Sequence, residues 1–242
     1  MARALARGWN RPLVCFDPIA ERARSLAAEV GGEALADGAE VARRAQLVVL
    51  CHKPAQLEAV ARELAPHARA VASILAATPL AALRAAYPDR PVYRFIPSLP
   101  VEVRRGAVVQ SAAPPQDEQL DAAVAGLFGE LGTLVVLEER LIDVATGLMS
   151  CAPAYVALVA EAQIDAGVRR GIPAAEGAQL VVETLAGTAE LLRLRGNDTL
   201  AVRREVASPG GLTARGLDAL ERAGLRGAFS SALDAVLEEA RC

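Results

Sequence analysis

The feature that most constrains this chain is a change of hydrophobic period near residue 138. Before it, short apolar runs alternate with helical repeats; after it, the short runs stop. Segments 12–16 (PLVCF), 46–51 (QLVVLC), 70–75 (AVASIL), 91–95 (PVYRF), 107–111 (AVVQS) and 133–137 (TLVVL) are rich in β-branched residues and almost continuously apolar. Strands buried on both faces read this way. Between them, 19–30, 38–44, 54–64, 79–86 and 116–131 carry helical spacing. Pro54 and Pro79 fall at first-turn positions, where a missing N–H costs nothing. The alternation predicts a mainly parallel, doubly wound α/β sheet.

From residue 139 onward, 139–171, 173–195 and 212–241 are rich in Ala and Leu with helical spacing only. Gly171-Ile172-Pro173 marks a break between helices, and Pro153 predicts a kink or restart. Two regions are therefore expected, an α/β domain over 1–138 and an all-helical domain over 139–242. The second has no sheet to cover. Its apolar helices predict a homodimer or a larger homo-oligomer.

Composition narrows the function classes. Hydrophobic residues make up 53% of the 242 and charged residues 23%, enough for a packed core. A net charge of −3 and 3% aromatics argue against a nucleic-acid partner. No run is read as long enough to span a membrane, and the basic first residues lack the apolar core of a signal peptide. Cys15, Cys51, Cys151 and Cys242 have neither CxxC spacing nor a His pair, so no metal site is expected, and they read as reduced thiols of a cytoplasmic protein. Lys53 is the only lysine, either a ligand contact or a solvated cation at a helix start.

Sheets of this class bind ligands at the carboxyl ends of their strands. The usual Gly-rich turn after a first strand is missing. The chain opens with the helical segment ARALARGW and only then gives PLVCF, so the expected sheet lacks its first strand. Asp17 follows PLVCF, where an acid hydrogen-bonds ribose hydroxyls or simply caps the turn before Pro18. His52 directly follows a strand and is the better placed of the two histidines for a ligand.

Several blocks carry a resemblance. Ser208-Pro209-Gly210-Gly211-Leu212-Thr213, with Gly216-Leu217 and Leu220-Glu221-Arg222-Ala223-Gly224 after it, resembles the SPGGTT signature of the pyrroline-5-carboxylate reductase family. Leu141-Ile142-Asp143-Val144-Ala145-Thr146-Gly147-Leu148 and Pro153-Ala154-Tyr155 resemble the stretch around its SGSGPAY. Lys53-Pro54 matches its VKP loop, and Arg94-Phe95-Ile96-Pro97 its R-x-MPN. The order and spacing of these blocks identify the chain as a divergent, N-terminally truncated member. Departures are the missing glycine loop, Met149-Ser150-Cys151-Ala152 for SGSG, Ser98 for the Asn of MPN, Leu212 for the first Thr, and Ala77 for a Gly.

The resemblance implies a Rossmann domain followed by a helical dimerisation domain. It implies hydride transfer from NAD(P)H to the cyclic imine 1-pyrroline-5-carboxylate, giving L-proline. A non-catalytic dimerising paralogue and a related imine reductase are the alternatives. The substrate class is a carboxylated cyclic imine. Its contacts are Ser208, Pro209, Gly210, Gly211, Leu212 and Thr213, with Thr213 catalytic and Glu139 lining the substrate region. Glu139 also reads as a solvated first-turn acid. A Pro-Gly-Gly turn before a helix exposes amides that bind anions, although the same sequence serves as a plain helix cap. Cofactor contacts are Asp17, Cys51, His52, Lys53, Pro54, Ile74, Leu75 and Ala76. Family usage leans to NADPH, with NAD the alternative. Asp17 would repel a 2′-phosphate, while Arg22 and Arg24 would offset it.

Overall fold

The computed structural model describes residues 1–239. These group into two compact units, 1–153 and 154–239. The first alternates helix and strand: α1 (Ala2–Trp9), β1 (Val14–Cys15), α2 (Ala20–Val30), β2 (Glu33–Ala34), α3 (Gly38–Arg44), β3 (Val48–Leu50), α4 (Leu57–Leu64), β4 (Val71–Ser73), α5 (Leu80–Ala86), β5 (Val92–Pro97), β6 (Gly106–Ser111), α6 (Glu118–Gly129) and β7 (Gly132–Leu137).

The strands form two sheets. One pairs β1 with β2 in parallel, Val14 beside Glu33. The other runs β3-β4-β5-β6-β7, parallel except for the antiparallel β5–β6 pair. Among the described residues no strand pairs with the outer edge of β3 or the free edge of β1. The described strands thus form two sheets with no backbone pairing between them. Residues at these unpaired edges are less enclosed than those deeper in the larger sheet. Val14, Cys15 and Val49 are half-buried and Phe16 is exposed, whereas every residue of β4 and β5 is buried.

Alternate residues of the buried strands face opposite helix layers, as a period of two requires. Val71 and Val92 meet Ala42 of α3, Ala61 and Leu64 of α4, and Leu83 of α5. Ala72, Tyr93 and Phe95 face Leu5 and Trp9 of α1 and Phe128 of α6. Phe95 and Phe128 stack at 3.8 Å, with Trp9 edge-on to Phe128.

The helical region begins inside the first unit. A 3₁₀ turn (Glu139–Leu141) leads into α7 (Ile142–Ala145), whose Ile142 and Ala145 are buried against Ile96 and Val109. A π-turn (Thr146–Ser150) follows, closed by Cys151 N donating to Thr146 O at 3.1 Å. Then come α8 (Ala152–Val168), with Pro153 in its first turn, α9 (Ala174–Leu194), α10 (Thr199–Val206), α11 (Leu212–Arg222) and α12 (Leu225–Glu239). The expected break at 171–173 is present, with Gly171 at φ 96.

One sequence reading is corrected. Glu139–Val168 is a continuous helical stretch of 30 residues containing an 18-residue window of mean hydropathy 1.6, long and apolar enough to cross a membrane by length and composition. Its uncharged run, 144–160, exceeds any in the α/β half. Only 17% of that window is buried within the chain.

Candidate active site

The carboxyl ends of β3 and β4 lie side by side, Leu50 paired with Ser73. They carry two of the loops singled out in the sequence. After β3, Cys51 is exposed as a residue. Its sulfur is nevertheless desolvated, which pushes the thiol up to about 12 against the opposing pull of the Met1 ammonium. It is a neutral thiol at pH 7, not a nucleophile. His52 Nδ1 lies 2.9 Å from Lys53 O, while its Nε2 is buried without a partner. Pro54 opens a 3₁₀ turn, and Gln56 accepts from Lys53 N at 3.1 Å.

After β4, Ile74 N donates to Leu50 O at 3.2 Å, fixing this loop to the end of β3. Leu75 is buried and donates to Ser73 Oγ, whereas Ala76 is exposed. Ala77 has φ 49, the left-handed region that favours glycine. Asp17 stands at the end of β1, where its carboxylate accepts from Ile19 N at 2.8 Å ahead of α2. That bond is the turn-capping role.

Glu139, about a third exposed (36%), is the centre of a network with the buried Arg94 and Ser111. Its Oε1 accepts from Leu80 N at 2.8 Å and from Arg94 Nη1 at 2.6 Å, and its Oε2 accepts from Ser111 Oγ. Arg94 is 3% exposed and also pairs with Asp143 at 3.3 Å. Its Nε is buried without a partner. Desolvation raises the Glu139 pKa, but the Ser111 hydroxyl, the Leu80 amide and Arg94 outweigh it and hold the carboxyl below its usual range. Sequence reasoning placed Arg94 and Asp143 only within motif matches and missed Ser111 and the Leu80 amide. One signal was available: an arginine inside the apolar run PVYRF must find an acid to pair with.

The second unit brings 208–213 together as a tight turn. Gly211 N donates to Ser208 O at 3.0 Å and Gly210 has φ 70. A Cβ on Gly211 would lie 2.4 Å from Ser208 Oγ, which would have to rotate aside. Gly211 is the N-cap of α11, with no side-chain cap. Thr213 therefore lies inside the first turn and does not cap it. Its hydroxyl has no protein hydrogen-bond partner among the described residues. Leu212 is 88% exposed. The turn offers uncapped amides and a free hydroxyl, a set suited to a carboxylate and an adjacent nitrogen.

Residues 139–242 match the pyrroline-5-carboxylate reductase dimerisation family, and residues 1–77 match the NADP oxidoreductase coenzyme F420-dependent family. The chain is 37% identical to the pyrroline-5-carboxylate reductase of Thermus thermophilus over 235 residues, covering 96% of this chain and 88% of that one. It is 34% identical to the Synechocystis enzyme of the same name over 201 residues, covering 82% and 75%. The crystal structure of the Streptococcus pyogenes 1-pyrroline-5-carboxylate reductase superposes with a TM-score of 0.89 at 27% identity, covering 99% of this chain and 94% of that one. The NADP-bound Plasmodium falciparum pyrroline carboxylate reductase shares the fold, with a TM-score of 0.86 at 24% identity over 98% and 92% of the two chains. The two regions, the 208–213 turn and these relatives converge: the chain belongs to the pyrroline-5-carboxylate reductase family.

Proposed function

We propose that the chain reduces the C=N bond of 1-pyrroline-5-carboxylate to give L-proline, using a nicotinamide nucleotide. The observation that carries this reading is the 208–213 turn, whose uncapped amides and free Thr213 hydroxyl complement a carboxylate next to an imine nitrogen. The reaction adds a hydride to the imine carbon and a proton to the nitrogen, so charge changes at the nitrogen. The amides at the start of α11 hold the substrate carboxylate, where the helix dipole favours an anion. Thr213 Oγ holds the nitrogen and supports the charge change.

The α/β unit fits a nicotinamide nucleotide. His52 Nε2 is a buried polar atom lacking a partner, and Lys53 and Ala76 are exposed at the ends of adjacent parallel strands. Such a nucleotide supplies the hydride. Cys51, His52, Lys53 and Pro54, with Ile74, Leu75 and Ala76, would flank its nicotinamide end. Asp17, at the end of β1, would meet a ribose with a carboxylate that already accepts from Ile19 N. Arg22 on α2 would favour a 2′-phosphate, and hence NADP, against the repulsion of Asp17, while Arg24 is paired with Glu21 at 2.9 Å. Cys15, Cys51 and Cys151 are all free thiols, in keeping with a cytoplasmic protein. The exposed apolar helices and the dimerisation-family match support a homo-oligomer.

The test is imine-dependent oxidation of NADPH and of NADH by the purified chain, with the product identified as proline by mass. Stoichiometric proline, with NADPH the better donor, is the expected result. Nucleotide binding with no proline formed would support a non-catalytic dimerising paralogue instead.

A further inference from the structure

The loop 74–79 between β4 and α5 holds a strained residue, and what keeps it in place lies outside the loop. Ala77 has φ 49, a conformation that costs a non-glycine residue free energy and persists only where the surroundings impose it. The loop's own side-chain bonds are local: Leu75 N to Ser73 Oγ at 3.2 Å and Thr78 Oγ1 to Ala76 O at 3.0 Å. At its far end Leu80 N, the first amide of α5, donates to Glu139 Oε1 at 2.8 Å. That carboxylate is not free to leave. The same oxygen takes Arg94 at 2.6 Å, and the other takes Ser111. Arg94 is 3% exposed, so losing Glu139 would leave a buried cation with Asp143 alone, at 3.3 Å.

We propose that Glu139 is a positioning residue that clamps the strained 74–79 loop in the shape that receives the nicotinamide end of the cofactor, and is not a substrate ligand. Oε1 is shared between the Leu80 amide and Arg94, and Oε2 takes Ser111, so both oxygens are oriented by the protein. The clamp reaches from the first turn of the helical region to the cofactor loop through one side chain. Arg94 and Ser111 hold the clamp, and Ala77 is the residue it restrains. The inference rests on the assignment of 74–76 to the nucleotide, and its test separates the two.

The experiment is hydrogen exchange of amides 76–82 in the ligand-free protein, paired with fluorescence titration of NADPH. Glu139→Ala is expected to speed exchange there by about tenfold or more, with segment 57–64 unchanged. Glu139→Gln keeps an oxygen for Leu80 N and should shift exchange less than about threefold. Adding Ala77→Gly to Glu139→Ala should slow exchange again, because glycine needs no restraint at φ 49. The dissociation constant for NADPH should rise about five- to twentyfold in Glu139→Ala, with the imine KM within about twofold of wild type. If Glu139→Ala does not fold, Ser111→Ala reads the same segment with a smaller effect. Unchanged exchange and unchanged NADPH affinity overturn the clamp. So does a raised imine KM at constant NADPH affinity, which is the signature of a substrate ligand. If the wild type binds no NADPH, the functional reading fails, and the exchange measurement alone still decides the clamp.

Discussion

Thr213 and Glu139 show how one side chain's partners decide its role. The Thr213 hydroxyl bonds nothing in the protein and Gly211 is the cap of α11, so Thr213→Val removes no structural bond. Its stability cost is expected to stay within about 0.5 kcal/mol, the range of ordinary surface substitutions. Turnover should fall about ten- to hundredfold, the worth of a hydrogen bond to a charge-bearing group. Thermal melting and imine-dependent NADPH oxidation on the same sample check both halves. Glu139 carries a pH signature instead. Its folded carboxyl lies below the usual range, despite desolvation, through Ser111, Leu80 N and Arg94. A depressed folded pKa contributes stability above the unfolded pKa that is lost as pH falls through the folded value. Wild type should therefore lose melting temperature on acidification below about pH 4.3, the unperturbed Glu value, and Glu139→Gln should lose less over that range. Thr213 was legible because glycines and a hydroxyl stood in sequence order. The network was not, because its members come from β5, β6, α5, the 139–141 turn and α7, and only the charge buried in PVYRF hinted at it.

Individual elements repeat that contrast between local signal and tertiary partner. Long apolar runs announced β3 to β7. The two-residue β2, Glu33–Ala34, has no run to announce it and exists because Val14 and Cys15 offer it an edge. α10 was missed because TLAVRREV is polar on most of its surface, although Asp198 caps it through Leu200 N and Ala201 N. The antiparallel turn into β6 was also hidden, since a buried strand reads alike in either direction. Where β6 meets β7 the backbones approach too closely for a side chain. Gly132 has φ 143, and a Cβ there would lie 2.0 Å from Gly106 O. Gly132→Ala combines backbone strain with a clash against backbone that cannot move aside. It should cost about 2–5 kcal/mol, read as a lower denaturant midpoint. A cost below about 1 kcal/mol would mean the β6–β7 register yields easily.

At the scale of the whole molecule, the helical unit has too little core to stand alone. α8 has no buried residue, and Leu158, Leu180 and Leu194 are 63%, 61% and 77% exposed. Apolar surface of that extent on a chain without lipid marks a partner surface. The stretch Glu139–Val168 is apolar enough to satisfy a bilayer by composition, but the match of 139–242 to a dimerisation family favours a second copy as the cover. The sequence announced this half by what it lacked, a sheet, and could not specify which helix faces turn outward, since α8 is apolar on every side up to Ala160 and gathers Glu161, Gln163 and Asp165 in its second half. Purified without detergent, the chain should scatter light as a multiple of its 25.2 kDa mass, at least twofold. Leu158→Glu with Leu180→Glu places charge on that surface and should shift the mass towards one chain, lowering the melting temperature because folding and assembly are linked. The α/β unit holds its own core, so amide exchange in β4 and β5 should remain slow in the variant while α8 and α9 exchange fast. A wild-type chain that scatters as a stable monomer at about 10 μM would overturn the assembly, because a surface this apolar should not persist uncovered at that concentration.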